Sequence, residues 1–132
     1  MYINNVNKFL NYLFYISILF LILISVIPGS LIGYLLYGDW GLQPILIKNP
    51  YGSAINHFIY YLYLSLLGLF YYLKHGKFKK IIYGLFFLSI ILELLHIIIP
   101  NRSFQISDLF ANVLGVIVAY LIIKIYLLFR KT

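Results

Sequence analysis

Glu93 and His96 lie three residues apart, Asp108 and Asn112 lie four apart, and Arg102 falls between the two pairs. Spacings of three and four place side chains on one face of a helix. Carboxylates beside imidazoles can pass protons to a bound group or ligate a divalent ion. A guanidinium beside them adds a partner for phosphate or carboxylate. The chain has only three Asp and Glu residues, and two of them are in this stretch. His57 is a further candidate, through its place in the chain rather than its immediate neighbours.

These groups are set in a very apolar chain. Its 132 residues are 64% hydrophobic and 10% charged, with a mean hydropathy of +0.98. A soluble domain carries about 25% charged residues, so lipid must cover much of this surface. One domain over residues 1–132 is expected at this length. There are no cysteines, which excludes disulfides and thiolate chemistry. The net charge of +7 does not point to nucleic acid, because the basic residues fall where membrane topology would put them.

Four apolar runs predict an all-α membrane protein, a bundle of four transmembrane helices over about 9–27, 54–73, 81–99 and 108–129. Each run is near the ~20 residues that cross a ~30 Å hydrocarbon core, and in lipid the backbone must bond to itself. The first run is expected to be a retained helix, since "LISVIPGS" offers no small-residue cleavage site. Between the first two runs lies a long loop, 28–53, with Trp40, Tyr34, Tyr37 and Tyr51. Its "SLIGYLLYGDW" predicts an interfacial helix, with an ordered aromatic loop as the alternative. Lys8, Lys74, Lys77, Lys79, Lys80, Lys124, Arg130 and Lys131 fall on one side and only Lys48 and Arg102 on the other. That imbalance predicts both termini in the cytoplasm. The "KHGKFKK" turn that contains His75 reads as a topology signal.

In that arrangement Glu93, His96, Asp108, Asn112 and His57 all lie within roughly 10 Å of the outer boundary, at 1.5 Å of rise per residue. Arg102 is in the loop just above them and is expected to fold onto one or both carboxylates. Ser107 is the expected N-cap of the fourth helix. Ala111, Gly115 and Ala119 form a small-residue stripe for close helix packing, and Gly68 and Gly84 are expected to mark further close approaches.

The stretch "ELLHIIIPNRSFQISDLFANVLGVIVAYLI" resembles the signature of VanZ-like membrane proteins: a Glu on the third helix, a P-x-R turn, then D-x-x-x-N-x-x-G. Glu93, Pro100, Arg102, Asp108, Asn112 and Gly115 match it. "NHFIYYLYLSLLG" resembles that family's second-helix segment D-K-x-x-H-F-x-x-Y through His57, Phe58 and Tyr61. Ile55 and Asn56 stand in the region of its Asp-Lys, and His96 stands where Gln is usual. The resemblance implies a multi-pass protein of the bacterial cytoplasmic membrane, and a link to reduced teicoplanin susceptibility.

Several roles for the polar layer remain open. It is a clamp between helices, or it binds the head of a membrane lipid, a lipid-linked cell-wall precursor or an amphipathic glycopeptide. Alternatively, it is an enzyme site acting on a lipid phosphate. No H-E-x-x-H, nucleophile elbow or phosphate loop is present, so the reading leans away from an enzyme. No cofactor is expected, and a metal held by His57, His96, Glu93 and Asp108 is the weaker alternative. A homo-oligomer, or a place in a larger assembly, is compatible with so small a bundle.

Overall fold

The protein is described by a computed structural model over residues 2–42, 44, 52–73 and 76–130. Five helices follow one another: α1 (Tyr2–Val26), α2 (Leu31–Tyr37), α3 (Ala54–Tyr72), α4 (Phe78–Leu95) and α5 (Ile106–Arg130). No strand occurs among the described residues. Three helices have the length and apolarity to cross a membrane: α1 from Val6, α3 and α5. α4 is the exception among the long helices, because its 18 residues include Lys79, Lys80 and Glu93. Lys48, Tyr51, Lys74, His75 and Lys131, which entered the topology reading, lie outside the described residues.

The ends of the helices follow from local chemistry. α1 begins earlier than the apolar run, since its polar first turns are compatible with helix, and stops before Pro28, which has no N–H to donate. The third apolar run reaches residue 99, but α4 ends at Leu95. Beyond it the chain tightens, with His96, Ile97 and Ile98 each donating to the carbonyl three residues back. Pro100 disfavours helical backbone at the residue before it, which ends the element.

α5 also differs from expectation. It starts at Ile106, so Ser107 lies inside the helix and is not its N-cap. The Gln105 carbonyl instead accepts from the Asp108 and Leu109 N–H groups.

α2 is a built element. The Ser30 hydroxyl accepts from the Gly33 N–H at its start, and Gly38, at φ 71°, closes its end by donating to the Tyr34 carbonyl. The chain then folds back: Ser30 N–H donates to the Trp40 carbonyl at 2.7 Å, and Trp40 stacks on Tyr34 at 4.3 Å. Gly33 has no room for a side chain, because the Leu42 and Asp39 carbonyls occupy that space. α2 and the following turn leave Leu35, Leu36, Tyr37 and Trp40 exposed.

α3 and α5 pack most extensively. A Cβ on Gly115 would lie 2.8 Å from the Phe58 carbonyl oxygen and 2.9 Å from the Leu62 nitrogen, so the two backbones nearly touch. Ala111 and Ala119 are buried on the same face. Gly68 of α3 takes the ring of Phe14 from α1. Gly84 does not mark a packing point: nothing lies within 4 Å of where its Cβ would be. It is on an exposed face of α4.

Candidate functional site

The polar residues converge at the end of the bundle where α4 stops and α3 and α5 start. Glu93, in the last turn of α4, is only 1% exposed. A buried carboxylate requires hydrogen-bond partners, and Glu93 has four groups around it. Its Oε1 accepts from the Gln105 N–H at 3.2 Å and faces His96 Nδ1 at 3.4 Å. Its Oε2 accepts from Asn112 Nδ2 at 3.4 Å and faces His57 Nδ1 at 3.9 Å.

Asp108 is served separately. The Ser53 hydroxyl, just before α3, reaches both of its oxygens at 3.2 and 3.1 Å. Ser107 Oγ is 3.4 Å from Oδ1, and His57 Nε2 is 3.4 Å from Oδ2. His57 therefore stands between the two carboxylates.

Asn112 sets the proton pattern. Its Nδ2 faces two acceptors, Glu93 Oε2 and the Ser89 carbonyl, each at 3.4 Å. Its Oδ1 then accepts from His57 Nδ1 at 3.1 Å. With Nδ1 a donor, His57 turns its other nitrogen, Nε2, to Asp108 Oδ2. Both nitrogens of His57 are thus engaged inside the protein. His96 differs, since its Nε2 is buried with no hydrogen-bond partner among the described residues.

Arg102 does not fold onto the carboxylates. Its Nε donates to the Ile27 carbonyl at 3.3 Å and its Nη2 to the Ile24 carbonyl. These are carbonyls at the end of α1, which carry partial negative charge and lack helical partners. The histidines take the place expected for Arg102 beside Glu93 and Asp108. Burial holds the guanidinium below its ordinary pKa, while the charge of Glu93 works in the opposite direction.

A cavity of about 440 Å³ opens against this layer. Its polar end includes His57, Glu93, His96, Arg102 and Asn112, with Asn56 at the start of α3. Its apolar walls come from Leu21 and Ile24 of α1, Ile59 of α3 and Leu92 of α4. Asp108 is not in the lining and acts from behind His57. Among the described residues, no three His, Cys, Asp or Glu side chains are arranged to hold a metal ion. The cavity is thus polar at one end and greasy along its sides, a shape for an amphiphile.

Ser53, Ser89 and Gln105 join the site without having been expected there. Ser89 precedes Glu93 by four residues on α4, so spacing could have marked it. Ser53 is bonded to Asp108 across 55 positions in the chain, and Gln105 contributes only its backbone N–H. Neither leaves a local pattern.

A family model, VanZ/LLP1, matches residues 9–129, nearly the whole chain. Comparison with curated proteins and with solved structures gave no match.

Proposed function

The chain belongs to the VanZ/LLP1 family, and from that premise we propose that it binds the polar head of an amphiphile in the Glu93 cavity. In this reading α1, α3, α4 and α5 all cross the bacterial cytoplasmic membrane, with both chain ends in the cytoplasm and the cavity in the outer leaflet. The ligand is a membrane lipid, a lipid-linked cell-wall precursor or a glycopeptide such as teicoplanin, and binding lowers glycopeptide susceptibility. α2 lies in the headgroup zone, where its exposed aromatic and aliphatic side chains are at home.

One observation carries this reading: a cavity of about 440 Å³ joins buried polar groups to apolar walls. Ligand sites are concave, mostly apolar, and hold a few placed polar groups. Ionisable groups inside a membrane are functional by default. The test fills the space without touching the Glu93 network. Asn56→Trp should leave thermal stability in detergent near wild type while cells lose protection against teicoplanin. A stable, cavity-filled protein that still protects fully would leave the polar layer as a clamp between helices.

A second reading has one observation in its favour. Glu93 orients His96 through Nδ1, and Nε2 has no partner among the described residues. A carboxylate-oriented imidazole with a free nitrogen suits acid–base chemistry on the bound head. His96→Gln, which keeps a polar side chain but removes the imidazole, separates the two. Loss of phenotype with ligand binding intact would favour chemistry, and retention of both would favour binding alone.

A further inference from the structure

The opposite end of the bundle holds a second cavity, of about 300 Å³, between the start of α1 and the ends of α3 and α5. Asn7 and Leu10 come from α1, Phe70 and Tyr71 from α3, and Tyr126 and Arg130 from α5. Phe70 and Tyr126 lie 6.3 Å apart, centroid to centroid, and form an aromatic wall. Among the described residues, Arg130 is the one basic residue in the lining, in the last turn of α5.

This cation has no side-chain counter-charge within the chain. The only side-chain carboxylates are Asp39, Glu93 and Asp108. Glu93 and Asp108 are consumed by the network at the far end of the bundle, and Asp39 follows α2 at that same end. Along α5 alone, Asp108 and Arg130 are about 33 Å apart at 1.5 Å per residue. Lys8, Lys77, Lys79, Lys80 and Lys124 are all nearer the Arg130 end and add only positive charge.

We propose that this cavity binds the phosphate of an anionic membrane lipid. Arg130 pairs with the phosphate, Asn7 and the Tyr126 hydroxyl bond its oxygens or the adjoining glycerol, and Leu10 and Phe70 pack against the first carbons of the chains. Basic cavities between helices on the cytoplasmic side suit such head groups. The guanidinium fork matches two phosphate oxygens at once. The inference is independent of the ligand in the Glu93 cavity but rests on the membrane orientation proposed above.

The full chain in nanodiscs tests this. Native mass spectrometry should show a lipid adduct with phosphatidylglycerol about fivefold tighter than with phosphatidylcholine, the effect of about 1 kcal/mol per basic residue. Arg130→Gln should abolish that preference, while Lys79→Gln with Lys80→Gln, and Asn56→Trp in the other cavity, should keep it. Equal retention of the two lipids by wild type would overturn the proposal. So would an unchanged preference in Arg130→Gln, which would assign the effect to the lysines. Inorganic phosphate that binds the protein in phosphatidylcholine discs through Arg130, and removes the phosphatidylglycerol preference when added to mixed discs, would make this a site for the free anion and overturn the lipid source. If Arg130→Gln is not recovered folded, Asn7→Leu carries the same test, and retention of the preference in it counts against the site.

Discussion

Two of the seams that hold α3 to its neighbours, those with α5 and with α1, are chemically unlike. Against α5 the contact is backbone to backbone, with Gly115 leaving no room for a methyl group. Against α1 it combines the Phe14 ring seated on Gly68 with a set of hydroxyl bonds. Tyr72 OH lies 2.9 Å from Tyr15 OH and donates to Asn11 Oδ1 at 3.2 Å. Farther along, Tyr60 OH donates to the Ser17 carbonyl at 2.8 Å, and Tyr63 OH lies 3.2 Å from Ser17 Oγ. Lipid provides no hydrophobic drive between helices, so close packing and hydrogen bonds must hold them. The α3–α5 seam uses the first along its glycine face and keeps its hydrogen bonds to the polar end, where His57 meets Asn112 and Ser53 meets Asp108, while the α1–α3 seam spreads hydroxyl bonds along its length. The difference assigns roles: α3 and α5 form the fixed frame of the Glu93 site, and α1 is the wall that borders it.

That contrast orders the expected effects of substitution. Glu93→Leu should be the most damaging, at about 4 kcal/mol, since removing one member of a buried charged network leaves the others unpaired. His96, Asn112 and the Gln105 N–H would all lose an acceptor. Thermal melting in detergent reads this, and a melt within error of wild type would show that the network does not hold the frame. Gly115→Val should follow at about 3 kcal/mol, near the upper end for overpacking, because the atoms it strikes are backbone and cannot rotate away. If that variant melts like wild type, the seam is looser than described.

Arg102→Met should come next, at about 2 kcal/mol for lost hydrogen bonds from a charged donor. Its effect should centre on α1, so hydrogen exchange should quicken at residues 21–27 and not in α5. Exchange that quickens first around Glu93 would reassign Arg102 to the carboxylates. Smallest is Tyr72→Phe, at about 1.2 kcal/mol, for two hydrogen bonds at the ~0.6 kcal/mol mean between membrane helices. A loss several times larger would mean that the α1 seam is as firmly fastened as the α5 seam.

The same residues show what the chain discloses without a structure. The shared depth of Glu93, His57, His96, Asp108 and Asn112 follows from rise per residue and from alternating helix direction. The Ala111–Gly115–Ala119 stripe is legible because four-residue spacing repeats along one face. The partner of Arg102 is not. A long side chain in a loop can serve any helix end near it, and spacing along the sequence ranks none of them. The orphan carbonyls of α1 won because their need for donors is not encoded by any side chain. The same holds for the Gln105 N–H on Glu93. Gly84 misled for the opposite reason, since a glycine can mark close packing or only an exposed turn of helix.

The charges of α4 bear on how the chain is built into a membrane during synthesis. An acidic residue in a spanning helix raises the insertion free energy, by about 2.5–3.5 kcal/mol where it lies at the centre; Glu93 is in the last turn of α4, and Lys79 and Lys80 sit at the other end of the same 18 residues. Alone, such a segment is a reluctant passenger. Its relief lies just downstream, in the Gln105 N–H and the Asn112 amide that bond to Glu93. The expectation is that α4 partitions into lipid as a hairpin with α5, after residue 112 has left the ribosome, and that a chain truncated before Pro100 leaves α4 outside the bilayer.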